Sequence, residues 1–269
     1  MNFSALLPEH YPKTVYKYRD WSNDFHKKTL INMELFLASP ALFNDPIDCK
    51  IPIAYYKLKD DPELTLKYFE GYVARHYPKQ TESQRQSKVQ ELIKEGKYYK
   101  QEWIEWQEQE QFRQLSDNYG IISFSQHKDN ILLWSHYASS HTGYCIGFKS
   151  YELFFNQSRF GNGGKVMYED ELPVILPTED LYQQLIKQIY TKSTVWSYED
   201  EYRVTKSRAS NQTVGFTQNE VAEIIIGSGM KESEAKSVVS ICKCNFPEIP
   251  IFKTTVVPRT FKLDFKQIN

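Results

Sequence analysis

The sequence predicts an α+β fold of mostly antiparallel sheets with flanking helices. Short strand-like segments occur in clusters, and the helical segments lie between them unevenly. A doubly wound parallel sheet would instead show strands and helices in regular alternation. The 269 residues suffice for one substantial core, and 41% hydrophobic and 25% charged residues are ordinary for a globular protein. We therefore expect a single domain over residues 1–269.

The beginning of the chain predicts a strand, a helix, a second strand and a loop. Bulky and charged residues alternate in the first strand. In the helix, Phe25, Leu30 and Ile31 are expected to face the core. Two prolines around Asn44 and Asp45 then predict an ordered loop. The expected bounds of these four elements are 15–19, 24–32, 35–38 and 39–46.

Residues from about 60 to 117 have a different character. Glu, Lys and Gln dominate this stretch, and apolar side chains recur at roughly helical spacing. We expect two or three helices here, as an insertion within the domain. The lysines are interleaved with acidic residues, which favours a solvated helix face over a nucleic-acid surface.

The remainder predicts further strands with three helices among them. The run from Gly161 to Gly164 is expected to be a turn before a strand. The expected helices span 130–138, 178–190 and 231–243, and the expected strands span 119–125, 144–148, 165–168, 201–204, 222–226, 249–253 and 260–265.

Charge and composition argue against several classes of protein. Thirty-three basic and thirty-four acidic residues give a net charge of -1, which removes the bulk electrostatic argument for a nucleic-acid binder. Four cysteines are too few for a disulfide scaffold and indicate reduced thiols in a cytosol. The N-terminus shows no signal-peptide pattern, and no run of eighteen apolar residues occurs. We expect a cytoplasmic protein without a membrane segment.

The first candidate site is the segment Trp196-Ser-Tyr-Glu-Asp-Glu-Tyr-Arg203. If this segment is extended, its period of two places Glu199, Glu201 and Arg203 on one face. Two neighbouring carboxylates raise the proton affinity of one of them, which suits acid–base work or the stabilisation of an oxocarbenium ion. A structural ion cluster is the alternative.

Three further groups are candidates for ligand binding. Ser123 and Ser125 lie on one face of an otherwise apolar strand, where they bind either a ligand or the backbone of a turn. His136 lacks a partner at metal-ligand spacing, so contact with a ribose hydroxyl or a carboxylate, or a role as a packed helix cap, is favoured over a metal site. Arg19 ends the first strand, where it suits either an anionic ligand or a salt bridge with Asp45 or Asp48.

Several well-known catalytic signatures are absent from the sequence. The Gly161-Asn-Gly-Gly164 run lacks the lysine and hydroxyl residue of a phosphate-binding P-loop. No Gly-x-Gly-x-x-Gly follows a strand, and no Gly-x-Ser-x-Gly occurs. These absences argue against an ATPase, a Rossmann dehydrogenase and an ordinary serine hydrolase, and we expect no metal site.

A set of motifs together resembles a large bacterial family that is known as a domain of unknown function. The resemblance covers nearly the whole chain apart from the helical stretch, and it is specific for the family but not for a function. The motifs are Tyr16-Lys-Tyr-Arg19, Phe43-Asn-Asp-Pro46, Ser123-Phe-Ser125, Trp134-Ser-His-Tyr-Ala138 with Gly143, and Trp196-x-x-Glu-x-Glu-x-Arg203.

A more distant resemblance concerns activity. Arg19, Ser123 with Ser125, and Glu199 with Glu201 occur in the order that is typical of ADP-ribosyltransferases of the arginine–serine–glutamate type. This resemblance implies an ADP-ribosyltransferase-like fold and NAD as the cofactor. It further implies that the arginine holds a phosphate or ribose of NAD and that the serines support its nicotinamide half.

The same resemblance implies the catalytic roles. Glu201 would stabilise the oxocarbenium ion as nicotinamide leaves, and Glu199 would orient the attacking nucleophile. His136 and Tyr137 are expected to contact the cofactor, although Phe124 stands where that family usually has Thr, which departs from its pattern. Supporting roles are expected for Arg203, Asn44, Asp45, Trp134 and Trp196.

The resulting hypothesis is an NAD-dependent ADP-ribosyltransferase-like enzyme, such as a toxin or a phage-defence effector, that acts on protein or nucleic acid. An antitoxin or another defence protein is a candidate partner. One alternative is a non-catalytic ligand-binding module of the same fold. Another is a nucleotide or nucleic-acid hydrolase that uses His136 with the glutamates. The sequence does not distinguish a transferase from an NAD glycohydrolase and gives no oligomeric state.

Overall fold

The computed structural model describes residues 12–154 and 159–269. The chain forms two compact units. The first consists of Met1–Leu42, Asn118–Val166 and Thr194–Asn269, and the second consists of Phe43–Asp117 and Met167–Ser193. Residues 1–11 and 155–158 lie outside the described residues. The expectation of a single domain over the whole chain stays a prediction.

The described strands are short, and most of them carry buried side chains. Their bounds are β1 Thr14–Arg19, β2 Glu34–Leu37, β3 Tyr119–Ser125, β4 Tyr144–Lys149, β5 Asn162–Lys165, β6 Met167–Glu169, β7 Thr191–Ser193, β8 Glu201–Ser207, β9 Gln212–Gly215, β10 Val221–Ile226, β11 Ile251–Val256 and β12 Leu263–Gln267.

The described α-helices range from one turn to five turns in length. Their bounds are α1 Asp24–Ile31, α2 Pro62–His76, α3 Glu82–Glu95, α4 Gln101–Asn118, α5 Ile131–Tyr137, α6 Ser150–Phe154, α7 Leu181–Tyr190 and α8 Glu232–Asn245.

The main sheet of the first unit has the strand order β12-β11-β10-β4-β1-β3-β8-β5. All of its neighbouring pairs run antiparallel except β10 with β11. A separate antiparallel pair joins β2 to β9. The expectation of an α+β protein with mostly antiparallel sheets is therefore confirmed.

The two faces of the main sheet carry different apolar clusters. Val15 belongs to a large cluster with Ile122, whereas its neighbour Tyr16 and also Tyr18 pack with Trp134 of α5. This alternation is what the bulky and charged pattern of β1 predicts, because successive side chains of a strand point to opposite faces. The alternation also fixes which polar residues can meet on a given face.

β1 and β3 are joined over only a short distance. Among the described residues their register has a single pair, Tyr16 with Ser125, whereas β1 pairs with β4 along its full length. Farther along β3, Ile121 pairs instead with Ala38, just beyond β2. The side chain of Lys17 lies where β1 and β3 separate, and its Nζ donates to the main-chain oxygen of Ser123 at 2.6 Å.

Two expectations for the first unit are wrong in detail. In α1 only Leu30 of the three apolar side chains is turned inward, since Phe25 is 78% and Ile31 is 48% exposed. The helix begins where Asn23 caps the main-chain N–H of Phe25. The glycine run expected to be a turn contributes to β5, whose backbone pairs with β8. β5 lies at the edge of the main sheet, with β8 as its one neighbour among the described strands.

The second unit contains α2, α3 and α4, which lie within or next to the helical stretch predicted over about 60–117. Asp61 caps the start of α2, and Thr81 forms a capping box at the start of α3. Gly96 ends α3 with a left-handed φ of 64°, which glycine adopts without strain. The unit also takes in 167–193, which carry the parallel pair β6 and β7 and the helix α7. The periodicity of the helical stretch held no information about that later segment.

Candidate functional site

The first candidate segment is not one continuous strand. Thr194–Glu199 forms a 3₁₀ helix, and β8 begins only at Glu201. Between them Asp200 has a left-handed backbone with a φ of 40°. The expectation that Glu199, Glu201 and Arg203 share one strand face is therefore wrong for Glu199, because a left-handed residue interrupts the alternation of side chains.

Both glutamates are nevertheless buried, with exposed fractions of 5% for Glu199 and 3% for Glu201. The hydroxyl of Tyr137 donates to Oε1 of Glu199 at 2.7 Å. The hydroxyl of Ser125 donates to the main-chain oxygen of Glu199, also at 2.7 Å. Residues of α5 and β3 thus hold both the side chain and the backbone of Glu199.

Glu201 forms a buried ion pair with Arg203. Nε of the arginine donates to Oε1 of the glutamate at 2.7 Å, and Nη2 donates to Oε2 at 2.9 Å. The arginine is 0% exposed. Two parallel hydrogen bonds form the strong, directional contact that guanidinium and carboxylate groups favour, and they offset part of the cost of removing both charges from water.

The serine strand lies directly beside the glutamate strand. In the register of β3 and β8, Ser125 is opposite Glu201 and Ser123 is opposite Arg203. Directly opposed residues of an antiparallel pair point to the same face. The hydroxyl of Ser125 also accepts from the main-chain N–H of His127 at 3.1 Å, so this serine contacts backbone on both sides. The structure therefore places the serines on the strand next to that of the second glutamate.

Arg19 is not brought to the same face. Tyr16 is opposite Ser125, which is opposite Glu201, so these three side chains share a face. Arg19 lies three residues from Tyr16 and therefore points to the other face. It is opposite Tyr144 of β4, and its Nε has no hydrogen-bond partner among the described residues. Burial lowers the pKa of this arginine. Its assignment to cofactor binding stays a prediction.

Lys17 is a candidate residue that the sequence did not single out. Burial, together with the positive charge of Arg19, lowers its pKa to about 7, while Glu201 and Glu199 act in the opposite direction. These glutamates are thus close enough to influence its charge. The signal in the sequence was a lysine between two tyrosines on the central strand β1, where a charged side chain is costly to bury.

The amine of Lys17 should be unusually reactive near neutral pH. With a pKa of about 7, roughly three quarters of it is uncharged at pH 7.5, against about 0.1% for an ordinary lysine. We expect cyanate to carbamylate Lys17 at least about tenfold faster than the more exposed Lys236, as measured by peptide mass spectrometry. The rate should level off above pH 8. A rate that keeps rising tenfold per pH unit up to pH 9 contradicts the lowered pKa.

Asp200 connects the two glutamates and has two basic residues as its own neighbours. Its carboxylate lies 3.2 Å from Nε2 of His127 and 2.8 Å from Nζ of Lys165. Its main-chain oxygen accepts from the N–H of Gln126 at 3.2 Å. These contacts stabilise a backbone conformation that is uncommon for a residue other than glycine. These contacts could not be predicted from the sequence, since the partners lie far apart along the chain.

The aromatic and histidine candidates have different surroundings. Trp134 is fully buried, packs edge-to-face against Tyr18 and donates from Nε1 to the main-chain oxygen of Lys128. This supports a structural role for that residue. His136 is exposed at the end of α5, beside Tyr137.

Asn44 and Asp45 belong to the second unit. Asn44 is exposed, and Oδ1 of Asp45 accepts from the main-chain N–H of Ile47 at 2.9 Å, which gives the loop the order expected from its prolines. Asp45 and Asp48 line a cavity of about 180 Å³ in this unit. Asp48 lies 3.6 Å from Nζ of Lys192.

The groups in the first unit could orient a reactant and stabilise charge that develops during a reaction. Glu199 and Glu201 are held by fixed hydrogen-bond donors, and Lys17 adds an amine that changes charge near neutral pH. Over residues 12–154 and 159–269, no three His, Cys, Asp or Glu side chains are grouped so as to hold a metal ion. No helix in the same residues has the length and apolar character needed to cross a membrane.

Comparison with known proteins identifies one related family. Residues 133–204 match the model of a family described as a protein of unknown function (DUF2971). The match covers about a quarter of the chain and contains Trp134, Tyr137 and both glutamates. It supports the resemblance of this part of the chain to a domain of unknown function. No curated protein and no solved structure matches the chain.

Proposed function

We propose that the chain is an NAD-consuming enzyme of the ADP-ribosyltransferase type, with a fold of that kind. The observation that carries the proposal is the direct pairing of the serine strand with the glutamate strand, which places Ser125 opposite Glu201 and bonds it to Glu199. A toxin or phage-defence effector, controlled by an antitoxin or another defence protein, is the biological role that we propose for such an activity.

Two fixed carboxylates suit the departure of nicotinamide from NAD. The bond between nicotinamide and ribose breaks with development of positive charge on the ribose, and the leaving group departs as a neutral molecule. Glu201, held by Arg203, has a fixed orientation in which to stabilise that charge and accept a ribose hydroxyl. Glu199, held by Tyr137, orients the nucleophile that attacks the ribose. The nucleophile bonds to the ribose carbon that nicotinamide leaves, and its proton passes to Glu199.

The cationic side chain of β1 in this proposal differs from the one implied by the resemblance. Lys17 and Arg19 are two residues apart on β1 and therefore point to the same face, opposite the face of Glu201. Nζ of Lys17 nevertheless lies at the boundary between β1 and β3, where it donates to the main-chain oxygen of Ser123, and the charges of both glutamates act to raise its pKa. We therefore propose that Lys17, and not Arg19, adds positive charge next to the two glutamates when it is protonated.

The activity is tested by measuring nicotinamide release from NAD by the full chain. We expect release by the wild type and a loss of about 100-fold or more in Glu199→Gln and in Glu201→Gln, as is typical for removal of a group that stabilises transition-state charge. Glu223→Gln is the matched control, because Glu223 is also a buried glutamate of the sheet but pairs with Lys128 and Tyr16. Absence of release from the wild type, or full activity in both glutamine variants, contradicts the proposal.

The bidentate ion pair between Glu201 and Arg203 also favours a second candidate function. Because Arg203 occupies both carboxylate oxygens of Glu201, the pair also suits a non-catalytic ligand-binding module in which these residues are structural. Such a module predicts binding of NAD, detected as a thermal shift, without nicotinamide release.

A further inference from the structure

A row of aromatic rings leads from the protein surface to Glu199. Trp196 and Tyr198 lie in the 3₁₀ helix before β8, with ring centroids 6.1 Å apart. Tyr198 is 6.3 Å from His136, and His136 is 6.3 Å from Tyr137, both in α5. The hydroxyl of Tyr137 then bonds the carboxylate of Glu199. The row therefore ends at one of the two proposed catalytic glutamates.

The row differs from the aromatic core of the same unit. Trp134, one turn away in α5, is fully buried and meets Tyr18 edge-on at 88°. By contrast, His136 is exposed, and Trp196 and Tyr198 each remain partly exposed. The ring of Tyr198 is tilted by 37° to that of Trp196 and by 39° to that of His136, and Tyr137 meets His136 at 67°. Each ring of the row carries a polar atom at its edge, so the row combines π faces with polar edges.

The chemistry of this surface matches a flat ring with polar edges. An apolar protein partner does not need an indole N–H, an imidazole and two phenol groups side by side. This surface also does not suit a polyanion that is held mainly through its phosphates. The basic side chains of Lys165 and His127 contact the carboxylate of Asp200, and the net charge of the chain is -1. Stacking on aromatic side chains with hydrogen bonds to base edges is how proteins hold unpaired nucleobases.

We propose that the aromatic row formed by Trp196, Tyr198, His136 and Tyr137 binds an unpaired nucleobase. Because the row ends at Glu199, the base is also placed to be the acceptor of the transferred ADP-ribose, and this second statement rests on the proposed function. In that step the bond between nicotinamide and the ribose breaks, a nitrogen of the base bonds to the same ribose carbon, nicotinamide leaves as a neutral molecule, and Glu199 accepts the proton that the base nitrogen loses. The base is presented either by a free nucleotide or by an unpaired strand, and a base within a duplex is not accessible to such stacking.

The test measures binding without NAD. Mononucleotides are titrated by calorimetry, and labelled single-stranded and duplex DNA and RNA are titrated by fluorescence anisotropy, with the full chain. We expect binding of the single strand or of a mononucleotide, no binding of the duplex, and weakening of about 5- to 100-fold in Trp196→Leu and in Tyr198→Leu. Trp106→Leu is the control, because Trp106 is also a tryptophan, is 57% exposed and lies in α4 of the second unit. Preference for the strand or for the nucleotide identifies the source of the base.

The outcomes separate this proposal from the enzymatic one. Tyr137→Phe keeps the ring and removes the hydroxyl that holds Glu199, so we expect retained base binding with reduced nicotinamide release. Base binding without any nicotinamide release supports the base site and contradicts the proposed function. No binding of any unpaired base by the wild type, or unchanged binding in both leucine variants with unaltered circular dichroism, overturns the base site whatever the nicotinamide result.

Discussion

Replacing Arg203 with methionine should lower the free energy of unfolding by about 3–5 kcal/mol. The substitution removes the bidentate partner of Glu201 and leaves that carboxylate buried, since it is only 3% exposed. A buried charge without its partner costs far more than the pair as a whole contributes. Urea denaturation followed by circular dichroism measures the change.

A double variant separates the charge from the packing. Glu201→Gln with Arg203→Met removes both charges, so we expect it to recover a large part of the stability that Arg203→Met loses. The single variant Glu201→Gln leaves the guanidinium buried and should also be destabilised. A double variant no more stable than Arg203→Met would show that the arginine acts through its packing and not through the ion pair.

Gly143→Ala should destabilise the chain by about 3 kcal/mol, because no side chain fits at this position. An added Cβ would lie 2.1 Å from the main-chain oxygen of Arg19 and 3.0 Å from that of Ala138. These atoms belong to the backbone and cannot rotate away. Since Arg19 pairs with Tyr144, the residue that follows Gly143, the shift would disturb the register of β1 and β4.

Gly71→Ala provides the matched control for this prediction. Gly71 lies inside α2, and its added Cβ would meet only Nη1 of Arg75, at 3.5 Å. Alanine favours a helix interior over glycine by about 0.5–1 kcal/mol, so we expect this variant to be slightly more stable than the wild type. Equal loss of stability in both variants would refute the steric explanation for Gly143.

The local pattern of the sequence predicted much of the first unit. The alternation in β1 and the apolar strand that contains Ser123 and Ser125 correspond to observed strands, and the amphipathic patterns correspond to α5 and α8. These elements depend on which face of a short segment is apolar, and that information lies within the segment. The strand β9 was not predicted, because its four residues contain a single apolar side chain, Val214, and the strand forms by pairing with β2.

The candidate site was predicted by residue type more successfully than by geometry. The sequence indicated Glu199, Glu201, Ser125 and Tyr137, which the structure brings into direct contact or into adjacent strands. It did not indicate Lys17. The change in its pKa depends on burial and on charges contributed by other strands, which no local pattern contains.

The sequence by itself determined an α+β protein with mostly antiparallel sheets. It also indicated, by residue type, a segment with two glutamates and a strand with two serines. Only the tertiary structure decided that Arg19 and Glu201 occupy opposite faces, because the register of β1, β3 and β8 sets the direction of each side chain. It also decided that Asp200 interrupts the segment with a left-handed backbone, which contacts from His127 and Lys165 stabilise. Period-two reasoning holds only while the chain stays extended, and long-range contacts end that extension at Asp200.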